Sequence, residues 1–491
     1  MNKTIDEKER KTIPRFLDYF TASTFGLLRA IKIGSLYDGG VVTNQTKIGW
    51  TTSHNLFNAV DLVAEAIVTK DFISEDAFNA AQFINRNPKS SWFMTKLANH
   101  YLEGTAIDAP ELKTVETYQL KISKIRSFLD IYPGNPVAWS DLALSYATLG
   151  LRTKATKSMA IALQLGENNR FVLRSAAGCF IFNNEPDRAI HTLNKSDLGS
   201  IDPWIASAIV AIADGYNLKS RHLRTAKALS GETGLSDFSR SELNASLATM
   251  EIKSGSNKEA RRLFKRSLID PTENALAQAE YMKKAIGLDS SLIDDGRKKV
   301  YVPFEANTIR YYFEGKYREC LEAANSWASF DSINPDPVII SSFVASTCLE
   351  DAEGAIDIIM KATPAQKENL SVANNMIFSL IEKGELRKGV YLLNKLDISV
   401  ARDDVKLMLK ATRGFAAFRS NRPEYARELY RKAITGFKDL GDNRSAAIAK
   451  YFLAREEKRL ASDYAEALAD EVKEEVKRYE IPTFNILAQK L

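Results

Sequence analysis

The sequence predicts an all-α fold: a right-handed superhelical solenoid of helix pairs, preceded by a divergent helical N-terminal region. Three observations predict it. Apolar residues recur at helical spacing in successive units of about 34 residues. Proline is scarce, 14 in 491 residues, and an interior proline removes a backbone donor and clashes with the preceding helical turn. The chain is also too long for one compact core, which suits either two or three domains or one extended array whose units bury one another.

Taken in order, residues 1–89 carry helical patterns near Ile13–Ile33, Asn55–Val68 and Glu75–Ile84. Between the first two lies a Gly/Thr-rich stretch, residues 35–53, read as a long loop or a small hairpin. The array is predicted over residues 90–455. Its first unit has Leu97, Ala98, Tyr101 and Gly104 in order, then an inserted loop around Ala109–Pro110 before its second helix. The clearest unit is residues 135–169. There Trp139, Leu142, Ala143 and Tyr146 make one apolar face, and Ala155, Met159, Ala162 and Leu163 make the facing one. Gly150 lies between them, where a left-handed residue ends a helix and permits a tight antiparallel turn.

Further copies follow. Ala189 comes 34 residues after Ala155. Gly255, Ala260 and Phe264 repeat the turn and second helix, Gly315 with Cys320 and Ala324 does so again, and Gly414, Ala426 and Tyr430 mark the last good unit. Residues 275–300 and 336–365 are helical in pattern and poor in signature. Residues 456–491 read as a charged amphipathic capping helix and a tail that serves as cap or docking peptide.

This pattern resembles the tetratricopeptide repeat, whose signature is W-x2-L-G-x2-Y, a turn, then A-x3-F and a closing Pro. Trp139, Leu142, Ala143 and Tyr146 match its first helix; Ala155, Met159 and Ala162 match its second, with Met for Phe and Glu167 in place of the Pro. The resemblance implies a superhelix with a concave groove that holds a protein partner. In the best unit the groove-facing positions read as Ser140, Leu144 and Ala147, joined by position 173, a leucine (Leu173), in the next unit and by Arg413 near the end. The Lys and Asn clamp with which some family members grip acidic C-terminal tails is not visible at these positions.

Catalytic constellations are missing from the sequence. The four histidines, His54, His100, His191 and His222, lie far apart. No HExxH, Cys/His cluster, phosphate loop or nucleophile elbow occurs. Asp294–Asp295, followed by Gly296, reads as a helix end or turn rather than a metal pair. Cys179, Cys320 and Cys348 form no CxxC, so a reducing, cytoplasmic setting with buried thiols is expected. No run of apolar residues is long enough for a membrane helix, and no signal-peptide pattern opens the chain.

The expected function is therefore a non-enzymatic interaction scaffold or adaptor, without metal or cofactor, holding a protein partner or peptide segment, or serving as a complex subunit. A regulatory or sensor subunit of an effector complex is the first alternative, motivated by the N-terminal region. An RNA-binding helical repeat is the second; the net charge of +5, from 67 basic and 62 acidic side chains, disfavours it. A homodimer through an uncapped repeat face stays open.

Overall fold

The computed structural model describes residues 10–19, 22, 44–88, 90, 92–104, 115–399 and 401–491. Among the described residues there are 27 helices, from Asn44–Thr52 to Pro482–Ala488, and no strand. Sequential helices pack as antiparallel pairs: Pro136–Thr148 on Arg152–Leu165, Asp237–Lys253 on Asn257–Ser267, Phe304–Phe313 on Tyr317–Phe330, and Asp403–Arg419 on Pro423–Asp439. The architecture is the all-α, tetratricopeptide-like solenoid that the spacing predicts.

The local reasons are those read from the sequence. Gly150, Gly255, Gly315 and Gly384 precede their second helices with φ of 74°, 81°, 72° and 94°. Where glycine is missing, Asn184 (62°) and Asn421 (57°) take the same left-handed turn, which asparagine tolerates better than other side chains. Ala155, Ala189, Ala260 and Ala426 are fully buried at the helix crossings, and Phe264 and Tyr430 fill the space beside them. First helices begin on side-chain caps: Asn135, Asn169, Asp202, Ser236 and Thr272 each accept a hydrogen bond from the opening turn.

Two elements differ from expectation. The second half of the Gly/Thr-rich stretch is a helix, Asn44–Thr52, because Trp50 is buried edge-on against His54 and Phe83; residues 35–43 lie outside the described residues, as does the inserted loop at 105–114. The expected helical pattern from Ile13 is not helical over residues 10–18. Pro14 disfavours the α conformation at Ile13 and gives a following helix no donor at its own position. The rest of that pattern, 23–33, lies outside the described residues.

Helices from Asn44–Thr52 to Trp92–Glu103 share their own core around Trp50, Leu62, Ala81 and Leu97. Beyond them the array curves back on itself. Thr148 and Ser332, 184 residues apart, share a hydrogen bond of 2.9 Å, and Arg152 pairs with Glu368 at 2.8 Å. At the other end the tail packs onto the array. Phe484 is buried against Phe343, Tyr451 and Phe452, and Lys490 pairs with Glu350.

Candidate functional site

The concave face of the array is occupied by the chain itself. Residues 10–18, RKTIPRFLD, run as an extended segment in which Thr12, Pro14, Phe16 and Asp18 are buried while the residues between them are half-buried. Period-two burial is what an extended strand gives when one edge faces a wall. At about 3.3 Å per residue the segment spans roughly 30 Å, enough to cross several helix pairs.

Its side chains meet the inner helices of several pairs. The Arg10 guanidinium donates to Glu305 (2.7 and 2.9 Å), to Gln278 Oε1 (2.8 Å) and to Asn274 Oδ1 (2.7 Å). Lys11 Nζ reaches Asp214 at 2.6 Å, and the Thr12 hydroxyl is hydrogen-bonded to Ser246. Arg15 bonds Glu305 at 2.6 Å and pairs with Glu273. Phe16 lies on Gly178, where an added Cβ would come within 2.9 Å of it. Asp18 pairs with Lys121 at 3.2 Å, and the Tyr19 ring stands edge-on to Phe171.

The segment's backbone is held as well. Gln278 Nε2 donates to the Arg10 carbonyl (2.9 Å), Asn274 Nδ2 to the Ile13 carbonyl (3.3 Å), and the Tyr19 amide donates to Asp141 (2.9 Å). Asn274 and Gln278 are one helical turn apart on Glu273–Ile286, so both face inward. Side-chain amides that pair with a backbone fix an extended chain whatever its sequence; the carboxylates supply the selection.

Those carboxylates feel their burial. Burial pushes the Glu305 carboxyl up, but Arg10 and Arg15 overcome it and hold it well below the usual carboxylate range. Burial also raises Glu273, with Arg15 opposing and the neighbouring Glu305 adding to the rise. Asp331 is pushed up to about 6 by burial, against the pull of Arg15. Glu273 Oε1 accepts the backbone amide of Glu305 at 2.8 Å, which anchors it on the N-terminus of the next inner helix.

Of the residues expected to face the groove, Ser140, Leu144, Ala147 and Leu173 are buried in helix packing. Arg174 lies over the Trp204 ring and pairs with Glu242 at 2.8 Å. Arg413 is exposed on the Asp403–Arg419 helix. The segment instead touches Asp141, Gly178, Asp214, Ser246, Asn274, Gln278 and Glu305. One signal for them was present: Glu273, Asn274, Gln278 and Glu280 are polar residues crowded on a helix the repeat signature describes poorly. Glu273, Asn274 and Gln278 turn to the segment, while Glu280 pairs with Arg297.

Other chemistry does not gather. Among the described residues no group of three or more His, Cys, Asp or Glu side chains could hold a metal ion, and no helix is long and apolar enough to cross a membrane. The three cysteines are buried and free of disulfides, and burial pushes the Cys179 and Cys320 thiols up to about 12. Asp294 bonds Arg310 at 2.6 Å and Asp295 bonds Lys298, so that pair is spent on ion pairs.

No protein-family model and no curated protein matches the sequence. Solved structures similar to it include the APC/C hetero-tetramer Cut9–Hcn1 (11% identity, TM-score 0.40, covering 91% of this chain and 92% of that one). Yeast Tom70 is also similar (14%, TM-score 0.34, 89% and 96%), as is the human IFIT1 dimer with PPP-AAAA (11%, TM-score 0.35, 85% and 94%). At such distances function has to be read from the chain's own geometry.

Proposed function

We propose that the protein is an interaction scaffold whose inner channel holds an extended segment of a protein partner, without catalysing a reaction. One observation carries this reading: the channel already grips an extended polypeptide, by backbone and by side chain, across consecutive helix pairs. The charge of the lining argues against the nucleic-acid alternative. Asp214, Glu242, Glu273, Glu305 and Asp331 all belong to the inner face, and carboxylates repel a phosphate backbone rather than releasing its counterions. The test is tagged purification of the full chain at moderate salt, with lysine cross-linking before lysis. A partner cross-linked at Lys121 and Lys253, which reach the segment or its Asp214 anchor, supports the reading. Co-purified RNA, or a partner cross-linked only to outer helices, defeats it.

A further inference from the structure

We infer that the channel is a receptor for a basic, extended segment of a partner protein, and that the chain's own residues 10–18 close it until such a segment displaces them. This rests on the scaffold reading above and adds the chemistry of the ligand and the means of regulation.

The lining specifies the ligand. Two cations five positions apart, Arg10 and Arg15, converge on Glu305, with Glu273 beside it. A third cation at the second position is read by Asp214. The position after it must be small, since Thr12 is buried between the inner helices and bonded to Ser246, which also bonds Ser207 at 3.1 Å. Pro14 keeps the backbone extended. The aromatic at the seventh position fits because Gly178 has no side chain. An arginine-rich extended segment of this register satisfies every group; an acidic one would place like charges against three carboxyls.

The lining also favours exchange over an unfilled channel. With the segment in place, Glu273, Glu305 and Asp331 draw their counter-charge from Arg10 and Arg15. A cationic segment is therefore always wanted, from this chain or from another. Residues 10–18 belong to no helix pair, and the anchors of Arg10 lie 264 to 295 residues away. They occupy the site as a ligand does, not as a repeat does. A segment held in cis competes at an effective concentration on the order of mM, so the closed form dominates until a partner of matching charge arrives.

The test uses the full chain and a fluorescein-labelled synthetic peptide of residues 10–19, followed by anisotropy. The variant Arg10→Ala/Arg15→Ala, which weakens the internal competitor and leaves the channel intact, is expected to bind the peptide at least about tenfold more tightly than the unaltered chain. Binding should fall with salt and vanish for a peptide with both arginines changed to glutamate. Phe16→Ala, which loosens the same segment without stranding carboxylates, should give a smaller gain in the same direction and serves if the double variant does not fold. Equal affinity for variant and unaltered chain, or no binding by a folded variant, overturns the inference: the segment is then a permanent plug. Light scattering that shows the double variant or the unaltered chain pairing through exchanged segments would overturn it in favour of a second copy as occupant. A neutral or acidic partner cross-linked to the inner helices would sink this inference and leave the scaffold reading standing. Tight peptide binding with partners found only on outer helices would do the reverse.

Discussion

The cluster around Arg15 and the cluster around Arg419 are built from the same groups and differ in what they join. Arg419 bonds Glu382 and Glu456, each at 3.0 Å. Arg455 joins the same two carboxylates and lies over the rings of Phe378, Phe415 and Phe452. Glu382, Arg419 and Glu456 stand 37 residues apart in turn, so that network ties equivalent positions of three successive helix pairs. Its cations are fixed to helices. The cations of the Arg15 cluster are carried by an extended segment whose partners come from much later in the chain. The difference teaches that buried charge is mortar where both partners belong to the array and a binding site where one partner can leave.

The largest expected effect contrasts the two. Glu456→Ala leaves Arg419 and Arg455 partly buried with a single remaining carboxylate partner, and should lower unfolding free energy by about 3 kcal/mol in urea titration. Glu305→Ala removes the carboxylate shared by two arginines that can move to water with their segment. Its global loss should be smaller, about 1 kcal/mol, while hydrogen exchange within residues 10–19 rises sharply. Equal global losses without faster exchange there would mean that the segment is mortar too, and the comparison breaks.

A pH experiment sharpens the same contrast. Asp331 titrates near 6 in the fold, above the ordinary aspartate value of 3.8. The folded chain keeps this proton where the unfolded chain has lost it. The group's contribution to stability is therefore fully present below about pH 3.8 and is lost as pH rises through about 6. Asp331→Asn lacks that loss, so its stability relative to the unaltered chain should improve by about 2 kcal/mol between pH 4 and pH 7. A pH-independent difference in urea midpoints would show that the site is better solvated than its geometry indicates.

The smallest expected effect is the most selective. Gly178→Ala adds helix propensity of about 1 kcal/mol in the middle of Arg170–Phe182, but its Cβ would press on Phe16 and on the Pro14 carbonyl. Thermal stability should change little, while protease cleavage between residues 10 and 19 becomes faster. Unchanged cleavage would mean that Phe16 has room to shift.

How much of this was legible depends on the range of the interaction. Helix pairs follow from period and punctuation within a few residues: Gly150 before Arg152, Ala155 against Ala143, Asn135 ahead of Pro136. The same locality explains the errors. Residues around Ile13 look helical by spacing, yet Pro14 and the buried partners of Arg10, Arg15 and Phe16 hold them extended. Ser140, Leu144 and Ala147 are groove positions of a generic repeat by spacing; here they are buried, and Asp141 on the same helix meets the segment.

By itself, then, the sequence determined the all-α solenoid, its turns and its small-residue crossings, because each depends on neighbours a helical turn or one unit away. Only the tertiary structure decided that the groove has an occupant and an acidic, amide-lined chemistry. Those contacts link residues up to 295 positions apart, and no local spacing records which distant carboxylate a given arginine will find.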